Sequence, residues 1–289
     1  MHPILRVSAL AALVSACASK TDPSDTGGAG AAANSNDPDD AGTTGEAVPP
    51  ATIDAEALFD VTGGPYDLAM APDGRLFISI QESRIDVWDP ETAWVDEHTR
   101  RAGSVFGIAW HGEHLYYTTS NHRQSGALLR LDGREGTVLA TAAGTTLFRE
   151  PTDLAMAPDG RWVVPDPTVG TLFVAASDGS TVEMMDPGVR EPSTVAVDEN
   201  AVYVGGADGV TRIEWPGGEP ERIDSRPVNG LHAPGGDLLG AGPSWGAFEV
   251  GTDSEPMGNE TMRLAGRMAG DDPLFVSDWG GATVWAIAR

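Results

Sequence analysis

One nonapeptide, DLAMAPDGR, occurs twice in the chain, at residues 67–75 and 153–161, and no other feature restricts the possible folds as strongly. The two copies lie 86 residues apart, which is two periods of 43. Weaker versions of the same pattern begin at Val105, Pro192, Val228 and Arg263. A repeat of about 40–45 residues is the blade length of β-propellers, so the sequence predicts six blades.

Each unit is patterned as four short strands and lacks helical periodicity. In the first unit an apolar segment, residues 68–71, is followed by the turn Pro72-Asp73-Gly74 and by further strands at residues 75–80 and 84–88. Proline, aspartate and glycine in this order are typical of tight turns. The predicted fold class is therefore all-β, a single six-bladed β-propeller over residues 53–289.

The two ends of this region complement each other. The last unit ends after its third strand, predicted at residues 282–288, so its fourth strand is missing. Residues 55–61, AEALFDV, form a strand-like segment that precedes the first unit and has no blade of its own. We expect this N-terminal strand to complete the last blade and to close the ring, which removes exposed sheet edges.

The N-terminal segment has the pattern of an exported lipoprotein. Residues 1–16 combine Arg6 with a short apolar run, as a signal peptide does, and the sequence LVSAC at residues 13–17 resembles the bacterial lipobox. Cys17, the sole cysteine, is then the lipidation site, and its acylation anchors the protein to a membrane. An ordinary signal peptide followed by an incidental cysteine is the alternative.

Residues 17–52 are small and polar, which predicts a disordered tether between the lipidated cysteine and the folded domain. We therefore expect the protein in the bacterial cell envelope, at the outer membrane or on the periplasmic face rather than in the cytoplasm. The formal net charge of −25, from 18 basic and 43 acidic residues, repels phosphate backbones and excludes nucleic acid as a partner.

The repeat units are similar to those of a known superfamily. PYDLAMAPDGRLFIS at residues 65–79 and LFVSDWGGATVW at residues 274–285 resemble NHL-type and gluconolactonase-like propellers, the latter also known as the senescence-marker-protein and luciferin-regenerating-enzyme family. The resemblance implies the fold. It also implies, for the gluconolactonase-like branch, hydrolysis of sugar lactones by a divalent metal held in the central channel.

That resemblance further implies a glutamate, an asparagine and an aspartate as metal ligands, and only one position agrees. Gly63 stands at the glutamate position, and Thr152 or Ser193 stands at the aspartate position. Asn229, followed by a glycine, matches the asparagine. One neutral oxygen does not hold a hard cation. We therefore expect no metal ligand set and no cofactor, with calcium as the kind of ion that would bind if one did.

Candidate catalytic residues come from the repeat itself and from one loop. Asp67 and Asp153 are equivalent positions of inner strands, where they either supply carboxylates to the channel or bind neighbouring backbone. Asp166 and Asp278 follow second strands, where they either act on a ligand or order the next loop. His122 is a further acid–base candidate.

Candidate ligand-binding residues lie in the loops of one face, where propellers usually bind their ligands; they are His122, Arg123, Trp245, Trp279 and Asn229. Because the catalytic set is incomplete, we favour a non-enzymatic function: a lipid-anchored binding or scaffolding propeller for an envelope protein, a peptide or a glycan. The alternative is a gluconolactonase-like hydrolase or lyase with a rearranged channel site.

Overall fold

The computed structural model describes residues 55–288, except 81–83, 101–103, 122–124, 133–134, 142–147, 234–235, 243–245, 255–256, 258–264 and 271. These residues form 23 strands in six small antiparallel sheets, and the described part of the chain contains no helix. The predicted six-bladed propeller is confirmed. No helix in the described ranges is therefore long and apolar enough to cross a membrane.

The first three blades follow one another along the chain, and each has four strands. Blade 1 contains β2 (Pro65–Met70), β3 (Leu76–Ile80), β4 (Arg84–Asp89) and β5 (Trp94–Arg100). Blade 2 contains β6 (Ser104–His111), β7 (His114–Ser120), β8 (Gly126–Asp132) and β9 (Glu135–Thr141). Blade 3 contains β10 (Ala155–Met156), β11 (Trp162–Asp166), β12 (Thr171–Ala175) and β13 (Val182–Met185).

The other three blades complete the ring. Blade 4 contains β14 (Thr194–Val197), β15 (Ala201–Gly206), β16 (Gly209–Glu214) and β17 (Glu221–Asp224). Blade 5 contains β18 (Gly230–His232), β19 (Leu239–Gly242) and β20 (Gly246–Glu249), and it is the least regular unit in the sequence as well. Blade 6 contains β21 (Ala265–Ala269), β22 (Leu274–Asp278) and β23 (Thr283–Ile287), joined by β1 (Ala55–Asp60).

The ring closes as predicted. Strand β1 is antiparallel to β23, with Ala55 opposite Ile287 and Asp60 opposite Thr283. The side-chain hydroxyl of Thr283 donates a hydrogen bond of 2.8 Å to Asp60. Strand β1 therefore supplies the outer strand of blade 6 from the opposite end of the chain.

The apolar core is divided into layers between the blades. Six clusters of buried side chains each join two neighbouring blades, so that every blade is packed on both of its faces. In the layer between blades 6 and 1, for example, Ile78 and Val284 are fully buried, and Phe59 of β1 stacks on Trp88 of β4 with ring centroids 5.6 Å apart. Phe59 belongs to the closing strand, so removing that strand exposes apolar side chains in the layer between blades 6 and 1.

Candidate functional site

The inner strands place one equivalent position of each blade at the central channel. The six residues are Asp67, Gly107, Asp153, Thr194, Gly230 and Arg267, and each directly precedes an apolar residue that lines the channel cavity. Three of them also make the same backbone contact. The N–H groups of Asp67, Gly107 and Arg267 donate to the hydroxyl groups of Ser79, Thr118 and Ser277, at 2.9, 3.0 and 2.8 Å. In blade 3 the inner strand is short, and Asp153 lies two residues before it rather than within it.

Arg267 crosses the channel from blade 6 to the opposite blade. Its guanidinium donates from Nη1 to the carboxylate of Asp153. From Nη2 it donates to the backbone carbonyls of Thr152 and Ser193, at 3.0 and 2.6 Å. The residue is only 3% exposed, so this ion pair is buried and each bond within it is strengthened by the low local dielectric.

The Asp153 carboxylate is surrounded by donors. Its Oδ1 accepts the N–H of Leu154 at 2.8 Å. Its Oδ2 accepts the Thr194 hydroxyl at 2.8 Å and the N–H of Val195 at 2.9 Å, in addition to Arg267. Burial raises the pKa of this carboxyl, and the Arg267 charge and the donors oppose that shift. These contacts favour the ionised form of Asp153.

Asp67 has the same position in blade 1 but a poorer set of partners. Its Oδ1 accepts the N–H of Leu68 at 2.8 Å, and its Oδ2 accepts the N–H of Ile108 in blade 2 at 2.7 Å. Burial, and after it the negative charge of Asp153, raises the pKa of Asp67 to about 8. The two acids therefore differ in their partners, because only Asp153 pairs directly with Arg267, whereas Asp67 has backbone donors alone and a pKa raised towards the protonated form.

An aromatic pair covers the guanidinium on the side where the inner strands begin. The ring centroid of Tyr66 lies 5.5 Å from Cζ of Arg267, and Phe106 meets Tyr66 edge-on at 5.1 Å. Burial raises the pKa of the Tyr66 hydroxyl. Tyr66 therefore stays neutral and excludes water from the ion pair.

A cavity of about 460 Å³ extends from Asp67, Asp153 and Arg267 along the channel. Its walls are the parts of the inner strands that run from this cluster towards the turns, and they are mainly aliphatic; they include Leu68, Met70, Ile108, Leu154, Met156, Val195, Leu231 and Met268. His111 and His232 lie at the turn end of the lining, where His232 Nε2 is 2.7 Å from the carbonyl of Gly270. The cavity therefore combines aliphatic side chains with converging polar groups in one concave space, as small-molecule sites do.

The other two predicted aspartates lie apart from this cluster and bind backbone. Asp166, fully buried at the end of β11, accepts N–H groups from Arg149 and Glu150 at 2.6 and 2.9 Å, and from the loop after it. Asp278, fully buried at the end of β22, accepts the N–H of Gly281 at 3.0 Å. Neither residue lines the channel cavity.

Trp279 and Asn229 lie at the ends of the strands opposite the turns. The Trp279 indole packs over the backbone of Gly64, where an added Cβ would come within 2.1 Å of its ring, and the residue is 52% exposed. Asn229 is exposed, and its N–H donates to the carbonyl of Ala241 at 2.7 Å. His122, Arg123 and Trp245, and likewise Cys17, lie outside the described residues.

The divalent metal that the family resemblance implies does not fit these residues. Gly63 has no side chain to offer, and the hydroxyl of Thr152 donates to the carbonyl of Ser193 at 2.8 Å. Among the residues that the structure describes, no three histidine, cysteine or acidic side chains converge as metal ligands. The carbonyls of Thr152 and Ser193 instead accept bonds from Arg267.

Sequence reasoning found two members of this cluster and missed Arg267. A signal for it was present, because Arg267 occupies in the last unit the position that Asp67 and Asp153 occupy in DLAMAPDGR. A positive residue in one repeat, at a position where two other repeats have a negative one, indicates an ion pair across the ring.

Comparisons with known proteins support the fold. No family model matches the chain, and no curated protein matches it in sequence. Among solved structures, the chain is similar to a gluconolactonase from Xanthomonas campestris, with a TM-score of 0.69 and 20% identity over 81% of this chain and 89% of that one. It is also similar to a PQQ-bound aldose sugar dehydrogenase from Streptomyces coelicolor, with a TM-score of 0.61 and 16% identity over 83% and 98% of the chains.

A third similar structure is a virginiamycin B lyase from Staphylococcus aureus, with a TM-score of 0.57 and 13% identity over 79% and 82% of the chains. At these identities the likeness establishes the propeller fold alone. The three neighbours carry three different activities on this fold, so function has to be argued from the channel of this chain.

Proposed function

We propose that the domain is a hydrolase of small neutral cyclic esters, with sugar lactones as the first class to test, and that its chemistry is carried by Asp67, Asp153 and Arg267. The observation that supports this most is that the buried Asp67 carboxyl and the Asp153–Arg267 ion pair line the same cavity of about 460 Å³. A buried acid whose pKa is raised to about 8, as that of Asp67 is, suits acid–base chemistry at neutral pH. The fold likeness to a gluconolactonase agrees with this choice of substrate.

In the proposed reaction a water oxygen bonds to the acyl carbon and the bond from that carbon to the ring oxygen breaks. Asp67 donates its proton to the leaving ring oxygen and takes one from the attacking water, so the carboxyl is restored. The Arg267 charge stabilises the negative charge that develops on the carbonyl oxygen. Asp153 holds the guanidinium in place and keeps it charged.

The charge of the cavity favours a neutral substrate and an anionic product. Among the described residues that line the cavity, Arg267 is the only arginine or lysine, and it is neutralised by Asp153. A neutral lactone therefore enters without an electrostatic cost. The hydroxy-acid product is an anion at neutral pH, and the net charge of −25 repels it, which promotes its release.

The test is a hydrolysis assay on a panel of five- and six-membered sugar lactones. Proton release is monitored at pH 7 in the presence of chelator, and the rate is corrected for the spontaneous reaction. Wild-type protein is expected to accelerate at least one of them. Asp67→Asn is expected to lower kcat by about 10²–10⁴-fold, because the amide cannot donate and regain the proton.

Asp73→Asn is the matched control, since Asp73 lies in the surface turn after the inner strand of the same blade and pairs only with Arg75. It should leave the rate unchanged. A panel without turnover contradicts the hydrolase. It would favour the binding domain, with the exposed Trp279 as its ligand contact. Turnover that survives Asp67→Asn contradicts the assignment of the acid.

We also propose that the protein is anchored in the cell envelope through Cys17, on the strength of the sequence pattern at residues 13–17. Wild-type protein expressed in a bacterial host is expected in the membrane fraction, with a mass shift at the mature N-terminus that matches diacylation. Cys17→Ser should lose that shift and appear in the soluble fraction. Membrane retention of the serine variant would contradict the anchor.

A further inference from the structure

The guanidinium of Arg267 occupies an oxygen cradle that resembles a cation site. Three oxygens surround it: the carboxylate Oδ2 of Asp153 and the backbone carbonyls of Thr152 and Ser193. One carboxylate and backbone carbonyls are the ligands that hard cations such as calcium take. Thr152 and Ser193 are also the two positions at which the family resemblance placed a metal-binding aspartate.

An ionised Asp153 requires a cation at this point because the carboxylate is buried. The carboxylate is 6% exposed, and a buried ionised carboxylate without a counter-charge is strongly destabilising. The guanidinium supplies one positive charge, which balances one carboxylate. A divalent ion would balance two, so the monovalent charge of Arg267 agrees with a cluster in which only Asp153 is ionised.

The fold positions the Arg267 side chain so that it spans the channel to this cradle. Its own strand starts in blade 6, and its partners belong to blade 3 and the loop that enters blade 4, across the channel. Its backbone N–H is fixed to Ser277 at 2.8 Å, and Tyr66 covers the guanidinium. The charge is thus tethered to the protein and enclosed within it.

We infer that Arg267 is a built-in cation that takes the place of a divalent metal in the channel, so that the domain neither needs nor admits a metal ion there. This inference goes beyond the proposed hydrolase and does not depend on it. It rests on which groups surround the guanidinium, and it is tested by stability and ion binding rather than by turnover.

The experiment measures thermal unfolding of the propeller in its full-length chain with chelator, with calcium and with ethylguanidinium. Wild-type melting temperature should not respond to any of them at millimolar concentration. Arg267→Ala should melt roughly 10 °C lower, as expected when one partner of a buried ion pair is removed from a domain of this size. Calcium or ethylguanidinium should restore at least half of that loss with saturable dependence, because the vacated cradle then admits a free cation.

Arg226→Ala is the matched control. Arg226 also donates to a carboxylate, that of Asp224 at 2.6 Å, and to two backbone carbonyls, those of Glu249 and Thr252 at 3.0 and 2.9 Å. Its bonds to the two carbonyls lie at the surface, where solvent replaces them. The alanine variant should lose some stability and show no saturable response to either ion.

Two results would overturn the inference. One is wild-type protein that is stabilised by calcium and destabilised by chelator, which would place a metal in the channel beside Arg267. The other is an Arg267→Ala variant that responds to neither ion. If that variant does not fold in sodium buffer, refolding is measured with each ion by near-ultraviolet circular dichroism, and recovery with neither ion overturns the inference equally.

Discussion

Asparagine substitutions at Asp153 and Asp67 are expected to differ in cost although the two residues occupy the same position of identical nonapeptides. Asp153→Asn should lower the free energy of unfolding by about 3–5 kcal/mol at pH 7, because it leaves Arg267 buried without its counter-charge. Asp67→Asn should cost about 1 kcal/mol, since it removes one acceptor from a backbone N–H and leaves the ion pair in place. Chemical denaturation of both variants measures the difference.

The Asp67 variant should also change the pH dependence of stability. Because the folded state raises the pKa of Asp67 to about 8, the folded protein holds this proton more tightly than the unfolded chain does. Its contribution is therefore fully present below the unfolded value near 4 and is lost as the pH rises towards 8. The stability difference between wild type and Asp67→Asn should decrease over this range and level off above it. A constant difference from pH 5 to pH 9 would contradict the protonated state of Asp67, and equal costs of the two variants would contradict their different roles.

Deletion of the closing strand is expected to abolish cooperative folding, whereas moving that strand to the other end of the chain should preserve it. Without residues 55–61, β23 becomes an exposed edge and the layer between blades 6 and 1 loses its outer cover. We expect this variant to aggregate, or to bind a hydrophobic dye and melt without a sharp transition.

A circular permutant provides the control. Ala55 lies opposite Ile287, so a short turn after Arg289 connects β23 directly to β1 as a hairpin, and the new chain starts at Thr62. It keeps every pair of the seam and should melt within about 5 °C of the wild type, as expected where chain ends are adjacent. Cooperative unfolding of the deletion variant at the wild-type temperature would show that closure contributes little.

The fold was predictable because the repeat, its turns and the unpaired strands at both ends all specify the same ring. The turn that the sequence predicts at Pro72-Asp73-Gly74 forms, with Gly74 at φ +85° and the N–H of Ala71 bonded to Arg75 at 2.9 Å. The second strand begins at Leu76, one residue later than predicted, because Arg75 is part of this turn.

The channel cluster was predictable only in part. Asp67 and Asp153 were found as equivalent positions. A repeat pattern relates residues along the chain, but it does not show which residue of the opposite blade contacts them. The equivalence of Arg267 to these two residues was also difficult to recognise because the last unit has a shorter turn. Ten residues separate Arg267 from Ser277, whereas twelve separate Asp67 from Ser79, so the units align only after two residues are removed. The pKa values depend on burial and on the opposite blade, which no local motif encodes.

The seam between β1 and β23 is the one joint of the ring that is closed by hydrogen bonds instead of by a continuous chain. Strand β1 is also the first strand of the described residues, so the chain enters the domain at this seam. A pull at Ala55 therefore loads this seam of blade 6 first, starting at the pair of Ala55 and Ile287. If the segment before Ala55 is the membrane tether proposed above, tension on the anchor acts directly on the strand that closes the ring.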